Sequence, residues 1–467
     1  MRGVSEKPRG SEVAPWESWY RLRCLLLLTL GWLPANGFAD ARPPNILILL
    51  TDDHGYGDLS TYQASDCQTP HLDRLARQGM LFRQMRSNAT VCSPARAALL
   101  TGRYPDRAGV PGVIRTHADD SWGYFSPEIP TLADLLGRHG YHTALVGKWH
   151  LGLESPNTPG ERGFDHFHGF LGDMMDSYTD HRRHGINYLR LNETPIEPSG
   201  HATDLFAQFA VEYLHQRAEA DEPFFLYLAF NAPHFPIEPP PAWLDRVAAR
   251  APQLDPLRTR NVAFVEHTDD AIGRVLRALD ESGLAAHTIV AMSADNGGSL
   301  PHQQSNAPWR GGKQSHYDGG LRVPFMIRWP EEIAPGSSSD YPGLLFDLFP
   351  TMLAVAEIDA PAGIDAVNLL PILRGGDLPR DRELYFVRRE GGPRYGGNAY
   401  HALIRGRWKL LQNSPGGELE LYQLDEDPRE QTNLSEKHPA IVAELAAAMS
   451  RHIQAGGRVP WQPPDAP

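Results

Sequence analysis

One short segment places a thiol where a helix is predicted to begin. It reads Val-Cys-Ser-Pro-Ala-Arg, with the cysteine at position 92 and the arginine at position 96. Ser93 is a candidate N-cap, Pro94 suits the first helical position, and Gly102 is a candidate helix stop. Cys92 is therefore predicted at a helix N-terminus, where free N–H groups favour a bound sulfate, phosphate or carboxylate. Arg96, one turn further on, adds a cation that suits the same anion.

Two predicted buried strands end in oxygen ligands. Residues 44–51 and 288–292 are predicted as buried strands from their apolar runs, and acidic or amide side chains follow each of them. The four candidates are Asp52, Asp53, Asp295 and Asn296. Adjacent carboxylates repel unless a cation lies between them, and ligands bind at the carboxyl edge of open α/β sheets. Since no sulfur or imidazole is among these four, they favour Ca²⁺, with Mg²⁺ as the alternative, over zinc.

Three basic segments also follow predicted core strands. Residues 140–152 contain Lys148 and His150, the strand 223–230 is followed by His234, and residues 309–313 end in Lys313. Taken singly, each of these side chains is more simply interpreted as a surface charge or a strand-end contact. Their shared position after core strands favours a common site.

These motifs resemble those of the type I sulfatases, within the alkaline-phosphatase-like superfamily. The resemblance rests on Cys-x-Pro-x-Arg at Cys92 and on the segments 140–152 and 309–313, and it runs from about residue 45 to residue 434. Ala95 stands where the family often has serine, and Val91 where it often has leucine. The resemblance implies that a dedicated maturation enzyme oxidises Cys92 to formylglycine, an aldehyde that hydrates to a geminal diol.

The resemblance also implies roles for the other residues. It carries over Cys92, Arg96, Lys148, His150, His234 and Lys313 as catalytic, and Asp52, Asp53, Cys92, Asp295 and Asn296 as metal ligands. A sulfate ester needs cations around its oxygens, an activated oxygen nucleophile and an acid for the leaving alcohol. By resemblance, Arg96 and Lys148 orient the hydrate. Lys313 and His234 bind the sulfate, His234 protonates the leaving oxygen, and His150 deprotonates the second hydroxyl.

Three functions remain open on the sequence alone. The first is a sulfatase acting on a sulfated carbohydrate or an aryl sulfate, and the second is a phosphodiester or phosphonate monoester hydrolase with the same site. The third, a non-catalytic glycan-binding relative, is disfavoured by the full set of acid, base and cations. For the thiol, the structural alternative is a reduced core cysteine or a disulfide with Cys67. Residues 173–192 and 388–400 are candidate rim loops, but the sequence does not identify the sugar.

The N-terminus and the composition indicate export. Residues 1–41 have the order of a signal peptide, with Arg21 and Arg23 before an apolar run at 25–33. That run is shorter than the roughly 20 residues of a membrane span, so we expect no span. The formal net charge of −13 disfavours nucleic acid as a partner. A periplasmic or extracellular location fits better than a lysosomal one, although three Asn-x-Ser/Thr sequons keep the latter open.

Alternating strands and helices from residue 45 to about 360 predict the fold class. They indicate an α/β fold whose mixed, largely parallel sheet is sandwiched by helices. Helices are predicted over 70–79, 131–140, 204–218, 261–283 and 346–357, with 236–241 as an irregular excursion. Short antiparallel strands and a final helix at 440–456 then predict a smaller C-terminal α+β domain. The predicted divisions are a signal peptide at 1–41, a catalytic domain at 42–365 and the C-terminal domain at 366–467.

Overall fold

The computed structural model describes residues 42–390 and 399–464. The predicted signal peptide lies outside the described residues, and so does the part of the second predicted rim loop that contains Arg394 and Tyr395. From Pro43 onward, the described chain belongs to one compact unit. The predicted division between residues 365 and 366 stays a prediction.

Three sheets make up the β-structure. The strands are β1 (Asn45–Thr51), β2 (Met80–Phe82), β3 (His142–Lys148), β4 (His166–Phe170), β5 (Arg182–Arg183), β6 (Ile186–Asn187), β7 (Leu189–Leu191), β8 (Thr194–Pro195), β9 (Phe224–Ala229), β10 (Thr288–Ala294), β11 (Phe325–Arg328), β12 (Ser337–Ser339), β13 (Glu383–Arg389), β14 (Ala399–Arg405), β15 (Trp408–Gln412) and β16 (Glu420–Gln423). The main sheet has the order β12-β2-β11-β10-β1-β9-β3-β4-β7-β8. A small sheet has the order β13-β14-β15-β16, and β5 pairs with β6.

The centre of the main sheet is parallel and its margins are mixed. Strands β10, β1, β9, β3 and β4 pair in parallel, whereas β11 and β7 join the sheet in antiparallel orientation. Every residue of β1, β9 and β10 is buried, as expected for strands covered on both faces. This arrangement confirms the predicted fold class.

Helices cover both faces of the main sheet. They are α1 (Pro70–Gln78), α2 (Cys92–Thr101), α3 (Leu132–Gly137), α4 (Ala202–Ala218), α5 (Pro241–Arg250), α6 (Pro256–Glu281), α7 (Asp318–Leu321), α8 (Leu348–Val355), α9 (Leu370–Leu373) and α10 (Pro439–Gly456). Side chains of β1 alternate between two cores: Ile46 and Ile48 pack with α2, α3 and α8, whereas Leu47 and Leu49 pack with α1, α4 and α6. The alternation follows from the two-residue period of a strand.

The four-stranded antiparallel sheet and α10 form the smaller α+β element that the sequence predicts. Its core also includes Ala98 from α2 and Tyr104. The small sheet therefore packs against the helix that begins at Cys92.

Two helices differ from the prediction. Residues 236–240 are irregular as predicted, but α5 begins at Pro241 and was not predicted, and α6 begins at Pro256 instead of Asn261. Both helices have proline in their first turn, and the Asp255 side chain caps α6. Within the described residues, no helix combines the length and the apolar character that a membrane crossing requires.

Candidate active site

Four neighbouring parallel strands bring the candidate residues to one edge of the sheet. Asp52 and Asp53 follow β1, and Asp295 and Asn296 follow β10 on one side of it. On the other side, β9 leads to His234, while Lys148 is the last residue of β3 and precedes His150. Because the carboxyl ends of parallel strands share an edge, residues far apart in sequence meet there.

Helix α2 places Cys92 at its first residue. Val91 precedes the helix in an extended conformation and makes no side-chain cap, so the prediction that Ser93 caps the helix is wrong. The Ser93 hydroxyl instead accepts a hydrogen bond from the Ile114 N–H, at 3.1 Å. Pro94 is the third helical residue and not the first, still within the turn whose N–H groups lack helical partners. Gly102 ends the helix with φ of 65°, as predicted.

The Cys92 thiol is buried among charged groups. Its Sγ donates to Asp52 Oδ1 at 3.1 Å and lies 3.8 Å from Lys313 Nζ. Burial raises the pKa of the thiol well above its usual value, and the Asp52 charge acts in the same direction. A protonated thiol is a weak nucleophile. Cys67 is also a free, buried thiol, so the alternative of a disulfide between the two is not realised.

The four predicted oxygen ligands are in contact. The Asp53 N–H donates to Asp295 Oδ1 at 3.1 Å, and Asn296 Nδ2 donates to Asp53 Oδ1 at 2.8 Å. All four side chains are completely buried. Asp53 adopts φ of 58°, a left-handed conformation that is uncommon outside glycine and often found at functional sites.

Three cations face the three carboxylates. Arg96 donates from Nε and Nη2 to Asp295 Oδ2 at 3.0 and 2.8 Å. Lys148 Nζ forms a short ion pair with Asp52, and Lys313 Nζ lies 2.7 Å from Asp53 Oδ2. The formal charges of this cluster cancel. A bound divalent cation would leave a net charge of about +2, which suits a sulfate ester.

The pKa values of two of these carboxyl groups move in opposite directions. Burial alone would raise the pKa of Asp52, but the cationic groups around it, led by Lys148, hold it well below its ordinary value. For Asp295, burial and the Asp52 charge raise the pKa to about 7 despite Arg96. Environments that separate two neighbouring carboxyl groups in this way are typical of catalytic sites.

Each of the two predicted histidines has one nitrogen fixed by a backbone carbonyl. His234 Nδ1 lies 2.6 Å from the Phe235 oxygen, which assigns its proton to Nδ1 and leaves Nε2 to accept from Lys313 Nζ at 2.9 Å. His150 Nε2 lies 2.7 Å from the Ile114 oxygen, and its buried Nδ1 has no hydrogen-bond partner among the described residues. Burial lowers the pKa of His234 to about 4, and that of His150 well below its usual value. Both rings are therefore neutral here.

The donor set fits a hard divalent metal. Asn296 Oδ1 is buried and has no hydrogen-bond partner among the described residues. A buried oxygen without a donor needs an explanation, and a metal ion that it ligates would supply one. Asp52, Asp53, Cys92 and His234 each place one ligand atom within 4.8 Å of the others. We favour the set with Asp295 and Asn296, because His234 Nε2 is already engaged by Lys313 and oxygen ligands suit Ca²⁺ or Mg²⁺.

Above Cys92 lies a cavity of about 310 Å³, at the small end of ligand pockets. Four residues of the first predicted rim loop line it, namely Asp173, Met174, Arg183 and His184, whereas His181 is buried against the Gly200 carbonyl. Glu390, from the second predicted rim loop, also lines it, whereas the sequence did not predict the lining residues Arg115, His117 and Asp120. The cluster of charged residues at 115–120 is the one signal that could have marked this wall.

Comparison with known proteins identifies the family. A family model described as Sulfatase matches residues 44–358, and one described as N-sulphoglucosamine sulphohydrolase, C-terminal, matches residues 311–455. N-acetylgalactosamine-6-sulfatase of Canis lupus familiaris is 36% identical over 389 residues, covering 78% of this chain and 72% of that protein. Arylsulfatase A of Homo sapiens is 34% identical, covering 77% and 73%.

A solved structure agrees with these sequence relatives. The structure of Ps i-CgsB in complex with k-i-k-neocarrahexaose has a TM-score of 0.82 and 26% identity, covering 91% of this chain and 96% of that one. The chain is thus similar to sulfatases over most of its length, in sequence and in fold. The chain belongs to the sulfatase family and is a sulfuric ester hydrolase.

Proposed function

We propose that this sulfatase is exported and removes sulfate from a carbohydrate, using Cys92 matured to formylglycine and a divalent metal, Ca²⁺ or alternatively Mg²⁺. The observation that carries the proposal is the position of Cys92. It begins a buried helix beside Asp52 and within 4 Å of Lys313, so a group at this position meets both the acidic cluster and a cation. An unmodified thiol held by Asp52 is poorly suited to attack sulfur.

The metal would be held by Asp52, Asp53, Asp295, Asn296 and the matured residue 92. When bound, it supplies positive charge that polarises oxygen ligands and lowers the pKa of a bound hydroxyl. The orphaned Asn296 Oδ1 supports this assignment. Arg96 contributes by fixing the orientation of Asp295, and it reaches the Lys148 carbonyl with Nη1 at 3.2 Å.

The remaining side chains bind sulfate and hold protons. When formed, formylglycine supplies a hydrated aldehyde, which carries two hydroxyl groups on one carbon. Lys313 and Lys148 bring positive charge to the sulfate oxygens. The negative charge of a bound sulfate favours protonation of His234 at Nε2, from where the proton passes to the leaving oxygen. His150 presents the Nδ1 lone pair, which accepts a proton from a hydroxyl at position 92.

A carbohydrate is the substrate class that the relatives support. The similar proteins include N-acetylgalactosamine-6-sulfatases, and the similar structures include Ps i-CgsB with a bound neocarrahexaose. Identity alone does not separate sugar from aryl substrates, because arylsulfatase A is nearly as similar. The polar walls of the cavity, with Arg115, Asp120 and Arg183, suit the hydroxyl groups of a sugar.

Location and maturation are part of the proposal. The predicted signal peptide supports export to the periplasm or the extracellular space, and a formylglycine-generating enzyme would be the maturation partner. Of the three sequons, Asn88 is completely buried and accepts a hydrogen bond from the Phe346 N–H, so it does not suit glycosylation, whereas Asn192 and Asn433 are exposed.

Two measurements test the proposal. Mass spectrometry of the peptide that contains position 92, taken from active protein, should show the aldehyde, and only unmodified cysteine there would refute the maturation. Rates on matched aryl sulfate and aryl phosphodiester substrates should favour the sulfate. A clear preference for the phosphodiester would instead support the alternative hydrolase, and glycan binding without turnover would support the non-catalytic relative.

A further inference from the structure

The wall of the cavity above Cys92 is made by two loops that contact each other. Residues 113–122 form the first loop, which the Trp122 N–H closes on the Val113 carbonyl at 2.9 Å. Residues 181–186 form the second. The rings of His117 and His184 lie 5.0 Å apart, so the loops meet beside the cavity. A sugar whose sulfate reaches Cys92 must therefore place its ring against these residues.

Both arginines of the wall are already committed to carboxylates. Arg183 donates to both oxygens of Asp173, at 3.0 and 3.4 Å, and to Asp176 at 2.9 Å. Arg115 Nη2 donates to Glu390 Oε2 at 3.0 Å, and its Nη1 donates to the Asp120 carbonyl at 2.9 Å. These contacts balance the arginine charges, so neither arginine offers an uncompensated cation to a second anion.

The two histidines contact each other across the two loops, with ring centroids 5.0 Å apart. The cations deeper in the cavity, Lys313 and Lys148, are paired with Asp53 and Asp52 and face the scissile sulfate. Among the described residues, every arginine and lysine that lines the cavity is therefore paired with a carboxylate.

Asp120 is the exception among the acidic residues of the wall. Asp173 and Glu390 accept hydrogen bonds on both carboxylate oxygens, from Arg183 and from Arg115 and Arg388. Asp120 lines the cavity, and although its backbone carbonyl accepts from Arg115, its carboxylate makes no hydrogen bond or ion pair with a described residue. Beside the cavity it is therefore a negative charge that no described cation balances.

We propose that Asp120 is a specificity-determining residue, which selects a sugar whose only anionic group is the scissile sulfate. It accepts a hydrogen bond from a neutral ring hydroxyl and repels a second sulfate or a carboxylate on the same sugar. This inference rests on the proposed sulfatase action at Cys92. It assigns the substrate class as neutral monosulfated sugars, as opposed to disulfated or uronic-acid-like ones.

The test compares two substrates that differ by one sulfate. N-acetylgalactosamine carrying one sulfate and the same sugar carrying two are assayed as substrates, with para-nitrophenyl sulfate as a measure of sulfatase turnover in the wild type. The repulsion between two like charges across a partly hydrated cavity costs about 1.4 kcal/mol. Wild-type kcat/KM should therefore favour the monosulfate about tenfold. High salt should reduce this preference because it screens the repulsion.

Asp120→Asn should reduce the preference to about threefold or less, by lowering kcat/KM for the monosulfate and raising it for the disulfate. Asp119→Asn is the matched control, because it removes the same charge from an exposed neighbour that does not line this cavity. The control should keep the wild-type ratio. If Asp120→Asn does not fold, the salt dependence of the wild-type ratio is the deciding measurement.

Three results would overturn the inference. They are equal or better wild-type turnover of the disulfate, a preference that does not respond to salt, and equal shifts of the ratio in the two variants. In each of these cases, turnover of para-nitrophenyl sulfate shows that the proposed sulfatase function stands. Absence of turnover on every sulfate ester overturns the proposed function itself.

Discussion

Substitution of Arg96 tests how much its ion pairs with Asp295 and Asp52 stabilise the metal-free protein. Arg96 is completely buried, and it donates twice to Asp295 while Nη2 lies 3.6 Å from Asp52. Arg96→Gln leaves a buried carboxylate without its cation. Removing one partner of a buried ion pair costs about 3–5 kcal/mol, so we expect the free energy of unfolding of the chelator-treated protein to fall by this amount.

Urea unfolding in excess chelator measures this loss, and Arg74→Gln is its control. Arg74 pairs with Asp280 at 2.8 Å, but their side chains are 51% and 32% exposed. An exposed pair contributes about 0–1 kcal/mol, so the control variant should barely move the midpoint. Burial and the Asp52 charge raise the pKa of Asp295 to about 7 even beside Arg96, so losing Arg96 raises this pKa further. Asp295 then binds a proton more readily in the folded variant, and the loss of stability should grow as the pH rises.

A double variant shows whether the unpaired charge is the cause. Adding Asp295→Asn to Arg96→Gln removes the carboxylate that lost its cation, so part of the stability should return. Saturating Ca²⁺ should also narrow the difference between wild type and Arg96→Gln, because the ion compensates the same carboxylates. Losses no larger than those of Arg74→Gln, or a double variant less stable than both single variants, would refute this reasoning.

Four further predictions concern the metal, the nucleophile, the acid and the pH dependence of folding. Chelation should abolish activity and Ca²⁺ or Mg²⁺ should restore it, while Asp52→Asn should lower the bound metal measured by mass spectrometry; full activity in metal-free protein would contradict the assignment. Cys92→Ser should release at most about one equivalent of alcohol per enzyme and retain a sulfate ester at position 92, because it has only one hydroxyl; repeated turnover near the wild-type rate would refute this. His234→Ala should slow substrates with poor leaving groups most, and an equal slowing across a leaving-group series would argue against an acid. Burial and Arg389 lower the pKa of His401 to about 3. The stability that this neutral histidine contributes is fully present above about pH 6.5, and it is lost as the pH falls from about 6.5 towards 3. The wild type should therefore lose about 2 kcal/mol through this group between pH 7 and 5, and His401→Gln should flatten the slope in urea unfolding.

The parts of the fold that the sequence predicts are those with local, periodic signals. The apolar runs of β1 and β10 are followed at once by Asp52 and Asp295, so strand, edge and ligand type could be inferred together. The C-terminal sheet was likewise predicted from its short strands. The start of α6 was placed late because its first turn is polar and proline-led, and the cap at Asp255 was not recognised.

The cavity wall could be predicted only in part, because contacts between distant segments create it. The rim loops at 173–192 and 388–400 both contribute lining residues, but Arg115, which pairs with Glu390 from 275 positions away, belongs to no motif that marks a site. The helix cap at Ser93 failed for a related reason. Its hydroxyl is oriented by the Ile114 N–H from the loop that carries Asp120, and this tertiary contact overrides the local capping preference.

The burial of α2 bears on whether Cys92 is modified before or after the protein folds. All ten residues of this helix are buried, and the Cys92 side chain sits beneath the cavity with Asp52 behind it. The small sheet packs on the same helix through Ala98, so the completed fold encloses the segment on several sides. Under the maturation proposed above, an enzyme would reach the Cys92 side chain only before the surrounding segments enclose it. We therefore expect oxidation of Cys92 to precede completion of the fold, and refolded thiol protein to be a poor substrate for the maturation enzyme.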